Sequence, residues 1–356
     1  MNQSAKLKIY YEDQWLPPNP KRAHNFLAPL LFQGEDAEPG SPASWETVGT
    51  NKIVRMEHPE EADLVCLPDL YSRIDPTAVK QAACLADRHD KHFLAMEHCD
   101  HYEPPAKTAK KTLLFHSDLY RSRRQPNHYV HPTLLIADML PTLYLPENGW
   151  TPYPWERRIR VFWRGACDLY TLPKWKTAMF YMMDNWRRVR HEALQALLYG
   201  PDITLISTLS NQWWKSDPSD QFTRKRLFVQ EALDSPYALI TRGSGNYSFR
   251  LYEIMALGRI PVIIDTDSCL PWPDLIPWSE ICLIVPRKDI PKLPSKIREF
   301  HEGLTCAEFE ALQYRIREIW QTYLSEEGFY TTLCDQLSGL ITRPEVLTAH
   351  SRQFAH

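Results

Sequence analysis

The residues best placed to do chemistry lie between positions 240 and 254. Arg242 precedes a Gly243-Ser244-Gly245 turn, Asn246 and Ser248 are both able to cap a helix, and Arg250 and Glu253 follow at i and i+3. A glycine turn lets a ligand approach the backbone. The first N–H groups of a helix have no intrahelical partner, and the helix dipole favours an anion there. An arginine just before such a turn adds a fork of donors that matches phosphate oxygens. The guest this arrangement suits is a diphosphate. A plain salt pair on a helix would also explain Arg250 and Glu253.

Other candidates are spread along the chain. Arg164 ends a short apolar run and is a second candidate for a phosphate contact, with a plain surface arginine as the alternative. Glu97, His98 and Asp100 follow another such run, and any of them could serve as a general base, with loop hydrogen bonding as the plain alternative. The neighbouring His89, His92, His98 and His101, with Cys84 and Cys99, fit no familiar zinc spacing. Asp265-Thr266-Asp267 could hold a cation, but a turn cap is the simpler reading. No metal site is expected.

These residues need a scaffold, and the pattern around them supplies one. The runs 7–11, 62–67, 92–96, 112–115 and 134–136 read as short buried strands, with a helix over 76–88 and a loop rich in Pro, Gly and Ser over 28–50. The alternation restarts after a connection at 145–155. Strands are expected at 159–163, 203–207, 237–240, 260–264 and 281–285, helices over 173–199 and 221–233, and largely helical chain from 291 to 340. Strand–helix alternation of this kind predicts parallel sheets covered by helices. The reading is α/β, with one Rossmann-like domain over 1–150, a second with a helical tail over 151–340, and a terminal segment over 341–356. Ligands of such sheets bind outside the carboxyl ends of the strands.

The stretch after 237 resembles the C-terminal part of the exostosin-type glycosyltransferases. The resemblance rests on Arg242-Gly243, Ser248-Phe249-Arg250-Leu251-Tyr252-Glu253, Gly258-Arg259-Ile260-Pro261-Val262-Ile263-Ile264 and Leu270-Pro271-Trp272-Pro273-Asp274-Leu275-Ile276-Pro277-Trp278-Ser279. Weaker echoes are Glu61-Ala62-Asp63-Leu64, His92-Phe93 with His98, and Phe162-Trp163-Arg164-Gly165; the family's acid after the histidine is displaced by one residue to Asp100. The resemblance implies a GT-B fold, two Rossmann-like domains facing an interdomain cleft. It implies an inverting, metal-independent enzyme that moves a sugar from a UDP-linked donor to a glycan hydroxyl, with no cofactor. In that reading Glu253 accepts hydrogen bonds from ribose or sugar hydroxyls, Arg250 orients it or meets the phosphate, and Asp100 ranks first as base.

Composition agrees and narrows the field. The 356 residues suit two domains, and 44% hydrophobic with 24% charged residues excludes global disorder. A formal charge of −3 gives no bulk attraction for nucleic acid. No apolar run spans a bilayer and no signal pattern opens the chain, so a cytoplasmic enzyme is expected, with peripheral membrane attachment left open. The eight cysteines form no CxxC pair and read as reduced thiols. Two other classes stay open. Gly243-x-Gly245-x-x-Ser248 nearly spells a dinucleotide fingerprint, which would make an NAD(P)-dependent oxidoreductase, and a non-catalytic glycosyltransferase-like partner subunit would share the fold.

Overall fold

The protein is described by a computed structural model. It describes residues 6–16, 52–98, 108–131, 138–140, 150–167, 175, 186–209 and 218–342. The chain forms two compact units: residues 1–135, 269–271 and 322–356 make the first, and 136–268 with 272–321 the second.

The first unit is built on β1 (Leu7–Tyr10), β2 (Ile53–Arg55), β3 (Leu64–Cys66), β4 (His92–Glu97), β5 (Thr112–His116) and β6 (His128–Val130). They pair in the order β2-β1-β3-β4-β5-β6, every pair parallel. Helix α1 (Pro76–Arg88) joins β3 to β4, started by Asp75, whose carboxylate accepts the Thr77 N–H. It lays Ala78, Val79, Ala82, Ala83 and Ala86 on the sheet. Small residues at helical spacing let that helix sit close. The expected strand at 134–136 and the loop at 28–50 lie outside the described residues. Three-residue β2 and β6 were not expected.

The second unit holds β7 (Ile159–Gly165), β8 (Ile203–Leu209), β9 (Tyr237–Ile240), β10 (Ile260–Asp265) and β11 (Leu283–Pro286), in the order β11-β10-β9-β7-β8 and again all parallel. Its central strands read as unbroken apolar runs because helices cover both faces; all of β9 is buried. The helices are α2 (Trp186–Leu198), α3 (Pro218–Leu233), α4 (Phe249–Ala256), α5 (Trp278–Ile281), α6 (Leu293–Glu302) and α7 (Cys306–Ile319). Each sheet therefore changes direction after its second strand in sequence. In the second unit the change falls between β7 and β9, and open α/β sheets bind ligands at the carboxyl side of such a switch.

The boundaries differ from the sequence reading, which divided the chain at 150/151 and placed everything from 151 to 340 in the second domain: the second unit begins at 136, and 269–271 and the chain from 322 belong to the first. After the π-helical turn Trp320–Leu324, helix α8 (Glu326–Thr342) belongs to the first unit. Phe329, Tyr330, Leu333, Cys334 and Leu337 are its buried face, it packs on β1, and Asp335 pairs with Lys52 at 2.8 Å. Periodicity identifies the helix but not the sheet it will cover. Cys66, Cys282 and Cys334 are buried free thiols whose pKa burial pushes up. Among the described residues, no helix is long and apolar enough to cross a membrane.

Candidate functional site

At the switch point of the second unit, β7 ends on Trp163-Arg164-Gly165 and β9 is followed by Thr241-Arg242. Arg190 of α2 ties the two ends together. It donates to Ala166 O, to Arg242 O at 3.0 Å and to Thr241 Oγ1 at 3.3 Å, with its guanidinium 4.6 Å from the Trp186 ring centre and 5.6 Å from that of Trp163. Sequence reasoning missed Arg190, which sits in an arginine-rich helix with no motif around it.

Arg250, in the first turn of α4, reaches over the end of β7. Its guanidinium carbon lies 5.5 Å from the Trp163 ring centre and 5.9 Å from that of Phe228 on α3. The Nε is buried without a hydrogen-bond partner, and among the described residues no hydrogen bond or ion pair engages the rest of the group. Burial lowers its pKa, Glu253 opposes that shift and the nearby Arg164 adds to it. Gly165 is what lets it lie there: a Cβ at 165 would stand 3.3 Å from Arg250 Nη2 and 3.4 Å from Nη1. This is a close-approach requirement for glycine.

Arg164 is 8% exposed. Its Nη1 donates to Glu231 Oε2 of α3 at 2.9 Å, its Nε is buried without a partner, and Glu231 Oε1 accepts the Thr208 hydroxyl of β8 at 3.2 Å. Among the described residues no donor hydrogen-bonds the Glu253 carboxylate; burial raises its pKa, against the pull of Arg250 and of Lys225 on α3. Among the described residues, the result is two guanidiniums with unpaired Nε donors, one carboxylate without a hydrogen-bond donor, and the start of α4. The Ser248 hydroxyl, at the N-cap, makes no capping bond. Unsatisfied buried donors of this kind call for an acceptor, and planar forks beside a helix N-terminus suit a phosphate or diphosphate.

The loop before α4 is arranged differently from the sequence expectation. Arg242 turns back on its own loop, donating to Ser244 O at 2.8 Å and Gly243 O at 3.4 Å, and the Gly243 N–H closes the loop on Tyr247 O at 2.9 Å. Neither Gly243 nor Gly245 has a positive φ, so the turn does not use glycine for a left-handed backbone. Asn246 is buried and accepts the Thr266 hydroxyl at 2.7 Å, bracing the loop against the end of β10. Ser244 is exposed and Gly245 buried. Of the expected donor residues, the structure thus brings Arg164, Arg250 and Glu253 together and makes Arg242, Gly243 and Asn246 loop supports. Asp265 Oδ1 accepts the Asp267 N–H at 2.9 Å, a turn cap. Among the described residues, no group of three His, Cys, Asp or Glu side chains could hold a metal ion.

In the first unit, Glu97 at the end of β4 is 1% exposed, and its carboxylate accepts the Ser72 and His98 N–H groups, each at 2.9 Å. Its carbonyl oxygen lies 2.7 Å from His131 Nε2. That geometry makes it a brace for the strand end. His98 is half-buried, 5.8 Å from His131 between ring centres. His116, fully buried, accepts the Asp118 N–H on Nδ1 at 2.9 Å. Burial, helped by His131, His98 and His128, pushes its pKa down to about 3. Asp100 lies outside the described residues.

Residues 165–300 match the family model of the Exostosin GT47 domain. Apart from 269–271, the matched segment lies within the second unit, and it is similar to that domain over that span. The match opens at Gly165 and takes in Arg190, Glu231, Arg250 and Glu253. Two probable glucuronosyltransferases of Oryza sativa subsp. japonica are 41% identical over 68 residues and 47% over 66, covering 19% and 18% of this chain and 16% of each relative. Exostosin-1 of Bos taurus is 27% identical over 150 residues, 40% of this chain and 20% of exostosin-1. The aligned part is thus a fifth or less of each of these relatives. Among solved structures, the GtfA/B complex aligns with a TM-score of 0.40 at 12% identity, over 78% of this chain and 57% of that one.

Proposed function

We propose that this chain is a glycosyltransferase that moves a sugar from a nucleotide sugar to a hydroxyl of a glycan acceptor. The observation that carries the reading is Arg250, whose Nε is buried and whose guanidinium has no hydrogen-bond partner among the described residues, set against Gly165 and near Arg164 at the switch point of a sheet that lies in the exostosin-like segment. As the bond to the sugar breaks, negative charge builds on the leaving diphosphate. Arg250 and Arg164 would neutralise it, and preformed cations in a shielded crevice stabilise such charge at little reorganisation cost. Glu253, with no internal donor, would accept hydrogen bonds from ribose or sugar hydroxyls.

We further propose that the donor is UDP-linked, that transfer inverts the anomeric centre, and that no divalent cation is needed, since the arginines and the start of α4 take the cation's task. Inversion requires a base that accepts the acceptor's proton; His98 and Asp100 remain the candidates, because Glu97 already holds two backbone N–H groups. The names of the rice relatives put a glucuronosyl donor first among those to try. The test is a screen of UDP- and GDP-sugars for thermal stabilisation, followed by turnover with and without EDTA. A UDP-sugar should stabilise and turn over in EDTA. Loss of turnover on chelation, restored by Mn²⁺ or Mg²⁺, sinks the metal-independent reading, and stabilisation by NAD(H) alone replaces the transferase with an oxidoreductase.

A further inference from the structure

Two carboxylates lie near the two arginines: Glu253 acts on Arg250 through its charge, and Glu231 holds Arg164 in a hydrogen-bonded ion pair. Glu231 lies well along α3 and joins three elements, taking Arg164 of β7 through one oxygen and Thr208 of β8 through the other. Among the described residues no donor hydrogen-bonds the Glu253 carboxylate, which feels Arg250 and Lys225 through charge alone. Arg164 is buried and close enough to Arg250 to lower its pKa, so each guanidinium repels the other. A buried cation in that position turns away unless a counter-ion holds it. Glu231 does so through a single Nη group, and the buried Nε has no partner among the described residues.

We propose that Glu231 is a positioning residue for the donor's diphosphate: it fixes Arg164 beside Arg250, so that the two present their open donors to one anion. The inference rests on the donor-site reading above. It makes a prediction opposite to simple electrostatics. Removing a negative charge close to an anion site should strengthen anion binding. If Glu231 positions Arg164, removing that charge weakens binding instead. The sign of the change decides.

The experiment is calorimetric titration of the full chain with UDP and with GDP, for the parent, Glu231→Gln, Glu231→Asp and Thr208→Val, with thermal melts of each. Glu231→Gln should bind the nucleotide about tenfold more weakly, the scale of one lost charge-assisted hydrogen bond. Glu231→Asp keeps the charge and should recover part of the affinity. Thr208→Val, which frees one oxygen of Glu231, should weaken binding by a smaller factor. Equal or tighter binding by Glu231→Gln at an unchanged melting temperature overturns the proposal. If that variant melts early, the other two decide, and parental affinity in both overturns it as well. A parent chain that binds neither nucleotide removes the donor site, and this inference with it.

Discussion

Arg250 and Gly165 act as a pair. The guanidinium lies closely against the end of β7 where residue 165 has no side chain, and a Cβ there, 3.3 Å from Nη2, would push it away by a few tenths of an ångström. Gly165→Ala should therefore displace Arg250 and weaken UDP binding about tenfold while changing the melting temperature by only a few degrees. Parental UDP affinity would show that Arg250 does not need its present seat. His116 supplies a second residue-scale test. Its pKa falls from the ordinary 6.5 to about 3, chiefly by burial, so the folded chain binds fewer protons than the unfolded chain at mildly acid pH. The associated stability is present above pH 6.5 and is lost as pH falls toward 3. Between pH 7 and 5 that amounts to about 2 kcal/mol. His116→Asn, whose Oδ1 can still take the Asp118 N–H, should flatten the decline of melting temperature over that interval; equal slopes would contradict the assignment. Arg250 and Glu253 stand out in the sequence because they share a short motif, whereas the close approach of Gly165 to Arg250 could not be read from it. Arg190 and Glu231 do not stand out, because a helix side chain that reaches across a sheet leaves no local pattern.

At the scale of elements, the strand–loop–helix–strand segment from β9 to β10 was the clearest part of the sequence. Its two strands are continuous apolar runs, and its helix is bounded by Ser248 and Gly258. What lies beyond reading is how the end of α4 is locked. Gly258 has φ +61°, the Trp150 indole N–H donates to Leu257 O at 2.9 Å, and buried Arg259 reaches Leu233 O at 3.1 Å and Gln313 Oε1 at 3.2 Å. A Cβ at 258 would fall 2.3 Å from Trp150 Cζ2. Left-handed backbone and overpacking act together there, so Gly258→Ala should cost roughly 2–4 kcal/mol. A melt within a degree or two of the parent would show that Trp150 moves aside freely. The loop from 242 to 247 teaches the converse. Glycines beside an arginine look like a phosphate cradle in sequence, yet the arginine here satisfies the loop's own carbonyls. Composition cannot tell a donor aimed at a ligand from one aimed at its own backbone.

For the whole molecule, two all-parallel sheets, each reversing direction after its second strand, follow from the alternation of apolar runs and helical periods. The ownership of α8 did not follow, since its amphipathic face would fit either sheet. The account's central claim is that the second unit holds a nucleotide diphosphate on Arg250 and Arg164. The most direct measurement is calorimetric titration of UDP, in EDTA, into the parent chain and into Arg250→Ala. The account predicts binding by the parent, and at least tenfold weaker binding by a variant that melts within a few degrees of it. UDP affinity unchanged by the substitution, or seen only when a divalent cation is supplied, would contradict it.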